Sequence, residues 1–418
     1  MMNWCSILFL SGVFLCFLSS PGAAEEMNEA AYEWAWIRQG DVKPLARDQA
    51  CFVPTDDGDV YLLGGRAARE GNQTSGPIPH LRDLWRWDGM RWWPLDSGDG
   101  PECLNHHAAY HASLGKLIVI EPVYDDPVVG DGDIDFGIYF LLHWEWDGSM
   151  WTSRQIDVPF RFEHSVVYDP DQERLLLFGG VGWEVPAARE QCSAEAGIAA
   201  EESNFRLEYC WRDVWEFVDG QWRMLSNTCD ESAPPCLEDG GAYFDATSRA
   251  VRVLNYDDRR TEIFEYAEEG WSFVAGSELS DVSNSSVIVY MSDADTLLTY
   301  PDPGRRDESQ PDWWMFTNRW ASFDISGTGP SAEWNPALAY VPTTGEVLLF
   351  GGAREEEGPE GFYTKTEDDL WVLRPMGDQS LVGIGCRGCS SGTGSPGSMV
   401  WVVAVVLLVA SRRRFEVN

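Results

Sequence analysis

The feature that most constrains this chain is a repeated pair of strand signatures. An apolar run ends in a glycine pair, and after a variable segment Asp-Leu-Trp or Asp-Val-Trp opens a second run. Three copies are clear, with glycine pairs at 64–65, 179–180 and 351–352 and Asp-x-Trp at 83–85, 213–215 and 369–371. Glycine permits positive φ and leaves room where a strand ends against neighbouring backbone. Such a repeat predicts an array of small β-sheets rather than several unrelated domains.

Weaker copies of the pattern fill the intervals, with apolar strands at 117–121, 251–256 and 296–300. Apolar strand, glycine pair and Asp-x-Trp strand together resemble the kelch repeat. The resemblance implies a β-propeller in which each repeat forms a four-stranded blade and the repeat Trp side chains pack between blades. The repeat Trp residues are Trp36, Trp92, Trp151, Trp222, Trp271 and Trp320. Kelch propellers include copper oxidases, sugar-acid epimerases and binding proteins, so the fold does not decide the activity.

The strand count predicts how the ring closes. Six sets of first to third strands are present, but the sixth set stops near Pro375 without a final Trp strand. The missing strand lies at the other end of the chain, where Trp36 precedes the first set as the other repeat Trp residues precede theirs. An N-terminal strand that completes the last blade leaves no open sheet edge. The sequence therefore predicts an all-β fold, a six-bladed β-propeller over residues 32–375 whose N-terminal strand closes the last blade.

Charge restricts the partners of this chain. Its 68 Asp and Glu against 30 Lys and Arg give a formal net charge of −38. Such a surface repels nucleic-acid phosphates and anionic lipid headgroups, which excludes nucleic acid as a partner. Hydrophobic residues make up 44% of the chain, which is enough for a packed core and excludes intrinsic disorder.

The N-terminal end predicts export. Residues 7–18 form an apolar run of signal-peptide length, followed by small residues and the acidic start Glu25-Glu26. Residues 1–24 are therefore predicted to be a signal peptide, with a retained anchor as the alternative.

The C-terminal end predicts a membrane or sorting segment. Residues 376–398 are a Gly/Ser-rich linker with Cys386 and Cys389, and residues 399–418 form a short apolar tail ending with Arg412, Arg413 and Arg414. The tail resembles the C-terminal sorting tail of surface proteins in myxobacteria and their relatives. That resemblance implies cleavage at a Cys by a tail-processing protease, cytoplasmic arginines, and a propeller on the outer surface of a Gram-negative bacterium. The membrane is contacted only through this tail; a plain C-terminal anchor is the alternative.

Six further cysteines are candidates for disulfides, as expected in an exported protein. The pairs that are close in sequence are Cys192 with Cys210 and Cys229 with Cys236, which leaves Cys51 with Cys103. The sequence does not select among the possible pairings.

One acidic segment predicts a metal site. Asp131, Asp133 and Asp135 place hard oxygen ligands close together, which is the ligand type that calcium prefers. Leu142 stands where an EF-hand would have its Glu, so a solvated acidic loop is the alternative. Calcium is the one cofactor that the sequence suggests. His107, His111 and His164 fall in first strands, where a structural role is expected.

These features predict an exported, surface-tethered propeller that binds a protein or saccharide ligand through its loops, without catalysis. The longest loop spans 181–211. Exposed stacking is expected of the Trp residues outside the repeat register, namely Trp93, Trp183, Trp211, Trp313 and Trp314. The alternative is an extracellular carbohydrate-active enzyme of the oxidase or epimerase type. A funnel of polar residues at the channel mouth would favour the enzyme.

Overall fold

The second strands of the repeat are apolar along both faces, and the fold explains why. The stretches Val60–Leu63, Arg174–Phe178 and Glu346–Phe350 are almost completely buried. Each lies in a blade that is covered on both faces by its neighbours, so neither face is left for polar side chains. The chain is described by a computed structural model for residues 32–68, 78–96, 98–104, 107–124, 139–183, 202–203, 206–227, 241–257, 260–267, 270–277, 287–299, 313–317, 320–323, 329–330, 334–358 and 361–375.

Strands make up most of the described residues, and the one helical turn described among them is a 3-10 turn at Ala112–Leu114. The strands in chain order are β1 (Tyr32–Ile37), β2 (Cys51–Pro54), β3 (Val60–Leu63), β4 (Leu84–Trp87), β5 (Trp92–Asp96), β6 (Ala108–His111), β7 (Lys116–Tyr124), β8 (Tyr139–Trp146), β9 (Trp151–Ile156), β10 (Ser165–Asp169), β11 (Arg174–Phe178), β12 (Val181–Trp183), β13 (Glu202–Ser203), β14 (Arg206–Cys210), β15 (Val214–Val218), β16 (Gln221–Ser226), β17 (Ala242–Asp245), β18 (Ala250–Asp257), β19 (Arg260–Ala267), β20 (Gly270–Ser277), β21 (Ile288–Met291), β22 (Thr296–Thr299), β23 (Trp313–Phe316), β24 (Trp320–Phe323), β25 (Ala337–Val341), β26 (Glu346–Phe350), β27 (Ala353–Gly358), β28 (Gly361–Thr366) and β29 (Leu370–Pro375). No helix among these residues is long and apolar enough to cross a membrane.

Six four-stranded antiparallel sheets form the predicted blades. In chain order they are β2-β3-β4-β5, β6-β7-β8-β9, β10-β11-β15-β16, β17-β18-β19-β20, β21-β22-β23-β24 and β25-β26-β29-β1, here called blades 1 to 6. The first strands of successive blades contact one another, and β25 contacts β2, so the ring is closed. The prediction of a six-bladed β-propeller is confirmed. Two smaller sheets, β12-β14-β13 and β27-β28, arise from segments inserted after the second strands of blades 3 and 6.

The two ends of the blades differ in the chain segments that they carry. We call the end with the turns after each first strand the hairpin end; examples are the turns at 55–59 and 170–173. We call the opposite end the glycine end, because the glycine pairs and the connectors between blades lie there.

The N-terminal strand closes blade 6 as predicted, but in a different register. β1 pairs with β29, and Trp34 lies opposite Leu373. In blade 1 the corresponding pair is Trp92 opposite Trp87. Trp34, which is 8% exposed, therefore takes the place of the repeat Trp, whereas Trp36 is 52% exposed. The prediction that Trp36 is the buried repeat residue is wrong by two positions.

Other repeat Trp residues pack between blades as predicted. The ring of Trp92 lies 5.3 Å from that of Phe350 in blade 6, and Trp271 lies 5.5 Å from Phe178 in blade 3. Each contact joins the outermost strand of one blade to the second strand of the preceding blade, so burial of these rings stabilises the ring as a whole.

The glycine pair of blade 1 lies against the connector that enters blade 2. Gly64 and Gly65 have φ of +67° and +87°, and a Cβ on Gly64 would lie 2.6 Å from the backbone nitrogen of Cys103. Gly65 N donates to Cys103 O at 2.9 Å. The same contact is crosslinked, because Cys51 and Cys103 form a disulfide with a Cα–Cα distance of 5.7 Å. This pair was among those considered from the sequence.

In blades 1 and 3 a buried ion pair accounts for the Asp-x-Trp signature. The fully buried Arg161 guanidinium donates to both carboxylate oxygens of Asp213, at 2.6 and 2.9 Å, and to Gly179 O at 3.1 Å. Trp215 Nε1 also donates to Asp213. Blade 1 repeats this arrangement with Arg47 and Asp83, at 2.7 and 2.8 Å. Bidentate charge-assisted hydrogen bonds of this type fix the geometry of both partners.

The register of the closing strand can be tested with two Trp substitutions. Trp34→Ala is expected to lower the free energy of unfolding by about 3–5 kcal/mol, because it empties a buried site between blades. Trp36→Ala, two residues away, is the matched control and is expected to cost less than about 1 kcal/mol. Urea denaturation followed by Trp fluorescence measures both. Equal losses, or a larger loss for Trp36→Ala, would contradict the observed register.

Candidate functional site

A cavity of about 350 Å³ runs along the axis of the ring. It is bordered by the first strands of all six blades, that is β2, β6, β10, β17, β21 and β25. Its wall is built mainly from alanine, valine, proline and aromatic side chains. Small-molecule sites typically have volumes of about 300–1,000 Å³ and apolar walls, so the cavity lies at the lower end of that range.

Aromatic side chains line the cavity at one repeated position. In each blade concerned, the aromatic residue of the first strand lies opposite the same repeat position of the second strand, as Tyr110 lies opposite Leu117 and Tyr340 opposite Val347. The five residues at this position are Tyr110, Tyr168, Phe244, Tyr290 and Tyr340. Blade 1 has Pro54 there. The position is next to the hairpin end, so the rings lie near one opening of the channel.

The hydroxyl groups of this set reach toward the preceding blade. Tyr290 Oη lies 2.8 Å from Asp295 Oδ1 in its own blade and 3.2 Å from Asp245 Oδ1 in blade 4. Tyr168 Oη accepts a hydrogen bond from Ser113 N in blade 2, at 3.4 Å. The tyrosines therefore tie neighbouring blades together as well as line the cavity.

Carboxylates lie close to the tyrosine hydroxyls at the hairpin end of the cavity. Burial, followed by the charges of Asp57 and Asp56, raises the pKa of Tyr110. Burial, followed by the charge of Asp293, raises the pKa of Tyr340 to about 12. These phenols therefore stay neutral at physiological pH, and they do so beside carboxylates that oppose any further negative charge.

Several predicted site residues lie outside the described residues. These are the proposed calcium ligands Asp131, Asp133 and Asp135, the cysteines Cys192, Cys229 and Cys236, and the tail residues Cys386, Cys389, Arg412, Arg413 and Arg414. Cys210 is described and is disulfide-bonded. Within the described ranges, no group of three or more His, Cys, Asp or Glu side chains is placed to hold a metal ion.

Arginine guanidinium groups cover the rings of two tryptophans that were predicted to stack on a ligand. Trp211 is only 5% exposed, lies 4.9 Å from the Arg161 guanidinium and donates to Phe160 O at 3.1 Å. Trp93 is half-buried under the Arg91 guanidinium, 3.8 Å from the ring centroid. The prediction of exposed stacking is wrong for Trp211, and Trp93 has its face covered. The side chains of Trp183, Trp313 and Trp314 lie outside the described part of the chain.

The histidines join blades 2 and 3. His107 stacks on His164 with ring centroids 4.2 Å apart and planes 2° from parallel. The buried His143 has Nε2 at 3.0 Å from Glu145 Oε1, and its Nδ1 accepts a hydrogen bond from Trp222 Nε1 at 3.0 Å. The stacking of His107 on His164 agrees with the structural role expected for these two residues.

Burial keeps the imidazoles of His164 and His143 neutral. Desolvation holds the pKa of His164 well below its usual value, and desolvation also lowers the pKa of His143. The hydrogen bond from His143 and the nearby Lys116 lower the pKa of Glu145 to about 2.

Comparisons with known proteins give a likeness in fold only. No protein-family model and no curated protein matches the chain. Among solved structures, the chain is similar to a Dyadobacter fermentans protein of unknown function (TM-score 0.48, 11% identity, 82% of this chain and 99% of that chain). It is also similar to a Thermus thermophilus protein provisionally named an oxidoreductase (glucose dehydrogenase), with TM-score 0.42, 11% identity and coverage of 82% and 100%. A third structure, provisionally named a gluconolactonase, has TM-score 0.40, 13% identity and coverage of 83% and 93%.

Acid is expected to destabilise the fold in two stages. His164 and His143 resist protonation when folded but not when unfolded, so the unfolded chain binds more protons and the free energy of unfolding falls below about pH 6.5. The contribution of Glu145 is retained above its unfolded value of about 4.5 and is lost as the pH falls toward 2.

The first stage can be assigned with one variant. His164→Phe is expected to reduce the fall in melting temperature between pH 7 and pH 5, whatever its effect at pH 7, because the protonatable ring is gone. The measurement is thermal unfolding across that pH range. An unchanged slope would show that His164 does not contribute to the acid response.

Proposed function

We propose that this protein is an exported, non-catalytic binding propeller that takes a small ligand into its central cavity. The observation that supports this most directly is the cavity itself, which all six first strands border and aromatic rings line. A closed ring of packed blades holds these side chains rigidly, so little ordering of the wall would be needed on binding. The cavity replaces the loops as the proposed binding site, since most of the longest loop lies outside the described residues.

The composition of the wall favours binding over the alternative enzyme. Besides tyrosine, the polar side chains among the described lining residues are Asp56 and Ser292. The hydroxyls of Tyr168 and Tyr290 are engaged between blades. The polar funnel that would support an oxidase- or epimerase-like reaction therefore has little support in the cavity wall.

The remaining parts of the proposal come from the sequence. A kelch-type origin is supported by the recurring glycine pair and by the Asp-x-Trp signature, whose Asp holds a buried Arg in blades 1 and 3. Calcium binding by Asp131, Asp133 and Asp135 stays a prediction. Export and attachment to the outer surface rest on residues 1–24 and on the tail at 399–418.

Filling the cavity tests the binding site. A screen of neutral saccharides and small organic ions by ligand-detected NMR identifies a binder, and Ala108→Leu is then expected to weaken it at least about 10-fold by occupying cavity volume. Ala108 lines the cavity. The control is Ser272→Leu, which adds apolar surface on the exposed face of β20 and is expected to leave affinity unchanged. A ligand that binds Ala108→Leu as tightly as the parent would place the site elsewhere.

The proposed sorting is tested by the intact mass of the native protein from membrane and surface fractions. A mature species that begins near Glu25 and ends near Cys386 or Cys389 is expected at the surface. A surface species that retains residues 415–418 would reduce the tail to an ordinary anchor. Replacing both cysteines with Ser would in that case leave the location unchanged.

A further inference from the structure

We propose that the cavity binds a small organic cation, an ammonium ion carried on an apolar group. This inference rests on the proposed function, because it names the ligand class of the same cavity. The inference depends on two features of the same cavity, namely aromatic rings around it and, at its border, a carboxylate without a basic partner among the described residues. None of the described residues that line the cavity is Lys, Arg or His.

The aromatic rings supply one half of the recognition. Five aromatic rings, one from the first strand of each of blades 2 to 6, border the cavity at the equivalent strand position. A further lining residue, Tyr243, stacks on Tyr290 with ring centroids 4.6 Å apart. The face of an aromatic ring carries negative charge density and attracts a cation within about 6 Å of its centroid. Rings contributed by five blades can surround such a cation from several sides.

Carboxylates at the hairpin end supply the other half. Some acidic residues there are paired with arginines: Asp171 with Arg249 at 2.7 Å, and Asp245 with Arg252. Asp56 differs, because it lines the cavity and is exposed, and no basic side chain in the described ranges forms an ion pair with it. Among the described lining residues Asp56 carries the one formal charge, and a carboxylate beside an apolar wall is complementary to a ligand with a positive charge and an apolar body.

The same wall is poorly suited to other small ligands. An anion would meet the Asp56 carboxylate in a protein of net charge −38. A saccharide needs several oriented hydrogen bonds, and the hydroxyls of Tyr168 and Tyr290 are already engaged between blades. An ammonium ion bearing methyl groups is not repelled by Asp56 and needs no oriented hydrogen bonds, since it is held by charge and by ring faces.

A matched pair of ligands separates charge from shape. Choline and 3,3-dimethylbutan-1-ol have the same outline, but only choline carries a positive charge. Isothermal titration calorimetry at low salt is expected to show choline binding about 10-fold more tightly than the neutral alcohol. The difference is expected to shrink as salt is added, because the carboxylate is near solvent.

Variants of the wall then assign the two halves. Asp56→Asn is expected to weaken choline several-fold while leaving the neutral alcohol unchanged. The control Asp41→Asn removes the same charge from the exposed connector at the glycine end and is expected to have no effect on choline. Tyr110→Leu is expected to weaken choline, whereas Tyr110→Phe keeps the ring and is expected to retain affinity.

The outcomes distinguish the two proposals. Equal affinity for choline and the neutral alcohol, both lost in Ala108→Leu, would overturn the cation inference and leave the cavity as a binding site. Neutral saccharides binding there in preference to choline would do the same. Choline binding that is unaffected by Ala108→Leu would overturn the inference by placing the cation elsewhere. If no ligand of any class responds to Ala108→Leu, the proposed function itself fails.

Discussion

The pairing of β1 with β29 is the constraint on which the rest of this structure depends. Most second strands are mainly apolar on both faces, so each blade requires a neighbour on each side. In an open array the two terminal blades would each expose an apolar face, and β29 would be an unpaired strand edge. Closure removes both, and it brings β25 against β2 so that the six first strands surround one cavity. The fold and the candidate site therefore have the same origin.

The sequence predicted the ring but not the register of its closing strand. The other outermost strands follow their third strands through short turns, as Trp92 follows Trp87, and these turns fix which residues are opposed. β1 has no such turn, because it approaches β29 from the other end of the chain. In addition, the β4–β5 pair contains a bulge near Leu84, whereas β1 pairs with β29 without interruption. Counting residues between tryptophans therefore selected Trp36 where the structure places Trp34.

The candidate site was visible in the sequence only as separate pieces. Most first strands carry an aromatic residue near their end, but nothing local shows that Tyr110 and Tyr340 line one cavity, since this follows from ring closure. The arginines that cover Trp93 and Trp211 were not predicted from the sequence either. Arg161 lies far from Trp211 in sequence, and a buried arginine covers that ring only once Asp213 has fixed its orientation.

The closing strand also sets the order of events during biosynthesis. Among the described strands β1 is made first and β29 last; Trp36 of β1 donates a hydrogen bond to Asp369, which directly precedes β29 and lies 333 residues later in the sequence. Contacts between such distant segments form late and slow the folding of a chain, because the intervening loop must be closed first. The ring consequently cannot close on the ribosome until its last blade has emerged.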